Sequence, residues 1–247
     1  MNINNNYYHG GRFGNLFFTA MAMHFIAKKN NLTVKYKDHD KFIRLGIDFF
    51  VGINTYENTI ELLDNNFFNI ILSDDPLYKN INISIENNVW CQTKEFSEML
   101  MSYYKIDENR NKIISNNIVK NRYNNNNDVY IHVRLGDIIN YNYIHPFAYY
   151  DNVLKTLKFD NGFISSDTID HPICQDLIKK YNLHIINLDE VNTIMIASTC
   201  KYIVLSSGTF SWLIGLLSFY SKVYYPKIYT KWHGNIFVFD EWTEVDY

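Results

Sequence analysis

The chain has 247 residues, of which 47% are hydrophobic and 20% are charged, so it can bury the core of one large or two small globular domains. A net charge of −3 and the lack of a basic run argue against a nucleic-acid-binding surface. The three cysteines lie far apart without a Cys-x-x-Cys pair, which supports neither a disulfide framework nor a zinc site.

The amino terminus has no basic region followed by an apolar one, as a signal peptide would have. The longest apolar run, at residues 212–219, is too short to cross a bilayer. We therefore expect a soluble, cytoplasmic protein whose thiols are free and buried.

The first predicted element is a helix over residues 16–29, which follows the glycine-rich loop YYHGGRFGN at residues 7–15. We expect Asn15 to cap this helix and Lys28 and Lys29 to complement its dipole. Glycines let a backbone approach a ligand closely, and a helix start offers N–H groups to a phosphate or hydroxyl. Tight strand-to-helix turns also use glycine for steric reasons alone.

Residues 32–36 alternate like a short strand and are followed by Asp38-His39-Asp40. An Asp-x-Asp pair holds a divalent ion in metal-dependent sugar transferases, but the flanking lysines favour an exposed turn here. Further short elements are predicted at residues 56–63, 67–72 and 81–85, with helices at residues 96–104 and 112–122. The polar run at residues 124–127 indicates a domain boundary.

The segment DVYIHVRLGD at residues 128–137 predicts a buried strand that ends in a turn. His132 and Arg134 are two residues apart, so their side chains point to the same face. A guanidinium at the carboxyl end of an apolar strand needs an anion. Two interpretations stay open: a ligand at the edge of an α/β sheet, or a nearby carboxylate such as Asp137 that caps the strand.

The remaining chain alternates helices and strands, which predicts an α/β fold with a doubly wound parallel sheet. The turn Ser206-Ser207-Gly208-Thr209 lies between a predicted strand and helix. Its hydroxyl and N–H groups can form an anion cradle, and an arginine beside a helix amino end can hold a diphosphate without a metal. Such a turn is by itself often only a turn. The predicted helices are residues 149–157, 172–181, 192–198 and 210–219, and the strands are residues 162–167, 183–186, 201–205 and 222–226.

Three segments, GGRFGN, HVRLGD and SSGTFSW, occur in the order in which similar segments occur in glycosyltransferase family 11. The chain thus resembles the α-1,2-fucosyltransferases, which are related to the protein O-fucosyltransferases. The resemblance implies a GT-B fold, in which two Rossmann-like domains face each other across a cleft. The acceptor-side domain would be residues 1–125, and the nucleotide-sugar-binding domain would be residues 126–247. The last residues would pack back on the first domain. It also implies inverting, metal-independent transfer of L-fucose from GDP-fucose to a glycan hydroxyl, α-1,2 to galactose, with no cofactor.

The resemblance assigns roles to individual residues. Arg134 corresponds to the arginine that grips the phosphates, and His132 lies beside it on the donor side. Asp137, His132 or a carboxylate of the first half could act as general base. The other positions matched to donor binding are Arg12, Gly14, Asn15, Asp167, Ser206, Ser207, Gly208, Thr209 and Phe210.

Two positions depart from the family pattern. Leu135 stands where many relatives have a second arginine, and Thr193 stands where relatives often have an aspartate that reads the nucleotide base. These departures leave two alternatives open. The protein could use another nucleotide-activated deoxyhexose, or it could be a catalytically silent carbohydrate-binding relative.

Overall fold

The first half of the chain is mainly helical and contains a small parallel sheet formed by two strands, β1 and β2. The computed structural model describes residues 11–86, 88–141, 143–227, 235–237 and 239–247. Residues 7–10 of the glycine-rich loop therefore lie outside the described residues. The elements of this half are α1 (Phe13–Asn30), α2 (His39–Arg44), β1 (Thr59–Leu62), α3 (Phe67–Leu72), β2 (Asn82–Ile85), α4 (Lys94–Lys105) and α5 (Asp107–Asn116).

The first helix, α1, is buried along most of its length. It begins at Phe13, whose ring stacks on Phe42 of α2 at 4.4 Å between centroids. Asn15 consequently lies inside the first turn, and the prediction that its side chain caps the helix is wrong, because the cap position is Arg12. The helix ends at Asn30 and is capped by Asn31, which has a left-handed conformation and donates its N–H to the carbonyl of Ala27.

The second half forms a six-stranded sheet in the order β5-β4-β3-β6-β7-β8, and all of its neighbouring strands are parallel. The predicted α/β class with a parallel sheet is confirmed. The strand order reverses between β3 and β6, the place where open α/β sheets bind ligands. The elements are β3 (Val129–Val133), α6 (Phe147–Leu154), β4 (Gly162–Ser166), α7 (Pro172–Tyr181), β5 (His184–Ile185), α8 (Glu190–Ala197), β6 (Tyr202–Val204), α9 (Thr209–Leu216), β7 (Lys222–Pro226) and β8 (Thr243–Val245).

One large hydrophobic cluster runs through both halves of the chain. Trp212 of α9 joins the two halves within this cluster, because its ring lies 4.5 Å from Phe18 and 6.2 Å from Phe17 of α1. A second cluster covers the other face of the sheet and contains Leu135 and Tyr149. Because α1 and α9 share a core, the amino end of α1 is fixed against the carboxyl edge of the sheet.

The division of the chain at residues 125 and 126 into two Rossmann-like domains stays a prediction. Among the described residues of the first half, the only sheet is the β1–β2 pair. Near the end of the chain, Glu241 forms an ion pair with Lys105 of α4, and Trp242 packs in the cluster shared by both halves.

Three element predictions are wrong. Residues 32–36 form no continuous strand, and Leu32 instead forms an isolated bridge to Asn54. The helix predicted at residues 112–122 is α5, which begins at Asp107 and ends in an asparagine-rich segment because asparagine favours turns over helix interiors. The strand at residues 222–226 is not the last one, since β8 follows it. The β8 strand is short and mostly exposed, so it lacks an apolar pattern.

The turn interpretation of the Asp38 segment is right for Asp38 alone, because His39 and Asp40 belong to α2. Asp38 has a left-handed conformation immediately before α2, and His39 begins that helix. Within the described part of the chain, no group of three or more His, Cys, Asp or Glu side chains could hold a metal ion. The three cysteines are free and buried, as predicted. In the same part of the chain, no helix combines the length and apolar character that a membrane crossing requires.

Candidate functional site

A cleft of about 880 Å³ opens at the carboxyl edge of the six-stranded sheet, where β3, β4 and β6 end. One wall comes from the second half of the chain and the other from the first half. Every residue to which the sequence resemblance assigned a role lines this cleft, except Ser206, which is buried behind the wall. The first-half wall contains Arg12, Gly14, Asn15, Asp38, Trp90 and Gln92, and the second-half wall contains His132, Arg134, Asp137, Asp167, Ser207, Gly208, Thr209 and Phe210.

Arg134 follows β3 and lies against the amino end of α9. Its backbone N–H donates to the Ser206 hydroxyl at 3.0 Å. Gly208 has a φ of 109°, and a Cβ at this position would collide with the guanidinium of Arg134. The glycine therefore serves two needs, a backbone conformation that L-residues avoid and a close approach to a cation. The arginine and the helix start converge at the point where the strand order reverses.

Arg134 also contacts a carboxylate, as the strand-capping interpretation predicts. Its Nη2 lies 3.3 Å from Oδ1 of Asp137. The arginine side chain is only 13% exposed, whereas the Asp137 side chain is 50% exposed. The structure thus contains both features that the sequence left open, a cleft position and an internal ion pair.

Arg12 extends the ion pair to the other side of the cleft. Its guanidinium lies 2.5 Å from Asp137 and 3.3 Å from Asp167, which follows β4. We call Arg12, Arg134, Asp137 and Asp167 the charge cluster. Its two cations and two anions balance, so in this arrangement the cluster carries no net charge.

Burial raises the pKa of Asp137, but the guanidinium groups of Arg134 and Arg12 more than offset this effect and leave that pKa lowered. Burial lowers the pKa of Arg134, and Asp137 opposes the change. An arginine remains charged under all ordinary conditions. Asp137 is therefore an ionised carboxylate and a weak base.

His132 belongs to a buried hydrogen-bonded group beside the charge cluster. Its Nδ1 lies 2.5 Å from the hydroxyl of Ser211, and the Ser206 hydroxyl lies 3.2 Å from that of Ser211. Burial lowers the pKa of His132 to about 4, with Asp167 acting in the opposite direction. The imidazole is consequently neutral at pH 7 and is a weak base. The ring also contacts Phe210 edge-on, with 5.3 Å between centroids.

Two groups of the predicted anion cradle already have partners. The N–H of Ser207 donates to Nε2 of His145 at 3.3 Å, and the hydroxyl of Thr209 donates to Oδ1 of Asn15 at 2.6 Å. These two groups are therefore not available to a ligand in this arrangement. The turn instead links the sheet edge to α1. The two backbones are so close that a Cβ at Gly14 would collide with the backbone of Thr209 and Phe210.

The two departures from the family pattern occupy buried positions. Leu135 is fully buried in the second hydrophobic cluster, and its N–H donates to Asp167 at 2.9 Å. Thr193 of α8 is buried at the cleft wall, and its hydroxyl donates to the carbonyl of Leu188. Asp189 caps the amino end of the same helix by accepting the N–H of Asn192, and its exposed carboxylate pairs with Arg44.

Several cleft residues were not predicted from the sequence. Trp90 and Gln92 lie on the first-half wall, and Glu190 of α8 lies at the cleft with an ion pair to Lys41 of α2. Ser211 lies inside the SSGTFSW segment, so that segment was the available signal for it. The segment around Trp90 has no periodicity or glycine pattern that would have indicated a site.

The comparisons with known proteins add no family assignment. No protein-family model matches the chain, and no curated protein matches it at a significant level of sequence similarity.

Proposed function

We propose that this protein is a metal-independent, inverting glycosyltransferase of the GT-B type that transfers L-fucose from GDP-fucose to a hydroxyl of a glycan. The proposal rests on the three sequence segments that resemble glycosyltransferase family 11 and on the geometry of the cleft. The segments GGRFGN, HVRLGD and SSGTFSW are distant in the chain, but each contributes residues to the lining of one cleft.

The observation that carries the proposal is the convergence of Arg134 and the amino end of α9 at Gly208. A guanidinium and a helix start both favour a diphosphate, and both lie where the strand order reverses. The same groups would stabilise negative charge that develops on a departing diphosphate. This electrostatic role is the one for which a sugar transferase otherwise uses a divalent ion.

Donor binding requires a rearrangement of the charge cluster. A diphosphate would replace Asp137 as the partner of Arg134, and Arg12 could follow because its side chain is 60% exposed. The acceptor hydroxyl would then attack the anomeric carbon as the diphosphate leaves, and its proton would go to a base. Asp137, His132 or a carboxylate of the first half would be this base. The pKa values do not choose between Asp137 and His132, because burial lowers the pKa of His132 to about 4, two arginines lower that of Asp137, and both groups are unprotonated weak bases at pH 7.

One observation supports each competing function. The buried Leu135 and Thr193 favour a transferase with a different nucleotide-activated deoxyhexose, because neither position offers a charge to the donor. The balanced charge cluster favours a catalytically silent carbohydrate-binding protein, because Arg134 already has an anionic partner.

A donor panel separates these functions. The purified protein is incubated with GDP-fucose and with UDP- and dTDP-activated sugars, and release of the nucleotide is measured with and without glycan acceptors. We expect turnover of GDP-fucose, reduced about 100-fold in Arg134→Ala. The matched control is Arg110→Ala, which removes an ion-paired arginine outside the cleft. Turnover of another donor alone supports the second function, and the absence of any turnover together with glycan binding supports the third.

A further inference from the structure

Trp90 and Gln92 form an aromatic and polar surface on the first-half wall of the cleft. Trp90 is 36% exposed, although it lies between buried neighbours. The Gln92 amide donates to Oδ1 of Asn15 at 3.1 Å, the same oxygen that accepts the Thr209 hydroxyl. The surface is thus tied to the amino end of α9, beside the proposed diphosphate position.

The residue between them, Cys91, holds an unusual backbone conformation. Its φ is 54°, and all other described non-glycine residues with a positive φ are asparagine or aspartate, which tolerate this conformation. The Asp64 carboxylate holds the turn by accepting the N–H groups of Trp90 at 2.9 Å and Cys91 at 2.7 Å. A conformation of this kind persists only where its surroundings enforce it, and such positions concentrate at functional sites.

The first turn of α1 shows that the surface lies at one end of the cleft. Phe13 faces α2 at one side of this turn, and Asn15 faces Gln92 and Thr209 at the other. At the α2 end, Lys41 forms an ion pair with Glu190, which lines the cleft. Open α/β sheets bind ligands where the strand order reverses, which here is the point between β3 and β6 where Arg134 meets the amino end of α9. Trp90 and Gln92 line the cleft beside this point, at the end that faces away from α2.

We propose that Trp90 and Gln92 form the acceptor subsite and that it takes a neutral pyranoside with a contiguous apolar face. The C–H bonds on one face of such a ring stack on the indole, while its hydroxyls bond to the Gln92 amide and to Asn15. The assignment as an acceptor subsite rests on the proposed function. The sugar binding itself does not.

The direct test measures the binding of methyl β-D-galactopyranoside to the protein. Ligand-observed NMR or calorimetry gives the affinity, and GDP is present throughout. Sorbitol, an open-chain polyol without a ring face, is the control ligand. We expect wild type to bind the galactoside and not sorbitol, Trp90→Ala to lose about tenfold or more in affinity, and Trp90→Phe to lose less. Tyr220→Ala removes an exposed aromatic residue outside the cleft and should bind as wild type does.

Equal galactoside affinity in wild type and Trp90→Ala, or no galactoside binding in wild type, would overturn the proposal. A Trp90 variant that loses sugar affinity but keeps the melting temperature of wild type excludes a general effect on folding. Failure of the proposed function looks different, because wild type would then bind the galactoside without turning over GDP-fucose.

Asp64 is the positioning residue of this subsite, and it has its own test. Asp64→Ala removes the acceptor of both N–H groups and should lower galactoside affinity, whereas Asp64→Asn keeps an amide oxygen there and should retain most of it. Full affinity in Asp64→Ala would show that the turn does not position Trp90.

Discussion

Both ends of strand β3 carry an arginine–aspartate pair, and the two pairs differ in every property that matters for function. At the amino end, Asp128 has a side chain that is 4% exposed and lies 2.7 Å from Arg122. Its other oxygen accepts the N–H groups of the Asn161 backbone and amide at 3.1 and 2.8 Å. At the carboxyl end, Asp137 is half exposed and is shared by Arg134 and Arg12.

The comparison indicates in which of the two ion pairs a ligand anion can replace the aspartate. The carboxylate of Asp128 is enclosed and fully used, so its replacement by a ligand would leave buried donors without acceptors. Asp137 is open to the cleft, and an incoming diphosphate could take its place without burying any unpaired group. We therefore interpret the first pair as structural and the second as the exchangeable anion site.

Removal of the buried carboxylate should have the largest effect. Asp128→Ala leaves Arg122 and the Asn161 donors unpaired, so we expect the free energy of unfolding to fall by about 3 kcal/mol. Asp137→Ala, the matched change at the open end, should cost less, because Asp137 is half exposed and the side chain of Arg12, one of its two partners, is 60% exposed. Urea unfolding measures both. Similar losses in the two variants would contradict the distinction between the pairs.

Acid should destabilise the protein through its buried histidines. Burial lowers the pKa of His24, His132 and His145 to about 4. An unfolded histidine has a pKa near 6.5, so the unfolded chain binds more protons as pH falls from 6.5 toward 4, and stability decreases. Each of these histidines should lower the free energy of unfolding of the protein by about 2 kcal/mol when the pH falls from 7 to 5.

His132→Gln tests this assignment by comparing the unfolding free energies at the two pH values within one variant. Between these two pH values, the free energy of unfolding of the variant should fall by about 2 kcal/mol less than that of wild type. An unchanged pH dependence would show that the imidazole is not kept neutral by its position behind the cleft.

The smallest expected effect is that of Asp137→Asn. This change releases Arg134 and Arg12 from a charged partner, so GDP affinity should rise by about threefold to tenfold. Turnover should stay within about tenfold of wild type, because the lowered pKa of Asp137 makes it a weak base. A fall of about a thousandfold in turnover with intact GDP binding would instead identify Asp137 as the general base.

The sequence predicted those parts of the fold that local patterns determine. The bounds of α3, α7 and β7 agree with the predicted segments at residues 67–72, 172–181 and 222–226. The β8 strand was missed because its residues are mostly exposed and it pairs only with β7 along one edge. Tertiary packing of Phe13 on Phe42 set the start of α1 earlier than its glycines suggested.

The same distinction holds for the site. The sequence was enough to predict that Arg134 and the Ser207 turn lie close together, because parallel strands present their carboxyl ends at one edge of a sheet. The Trp90 surface could not be predicted, since it depends on a left-handed Cys91 and on contacts with Asp64, which is far away in sequence. The partners of Arg12 were equally inaccessible, because no local pattern shows which carboxylate an exposed arginine reaches across a cleft.

The central claim is that Arg134 can exchange Asp137 for a diphosphate, and calorimetric titration with GDP tests it most directly. Wild type, Arg134→Ala and the control Arg110→Ala are titrated without any metal ion. We predict that wild type and the control bind GDP equally and that Arg134→Ala binds about 100-fold more weakly. Equal GDP affinity in all three proteins, or no GDP binding by wild type, would contradict the account.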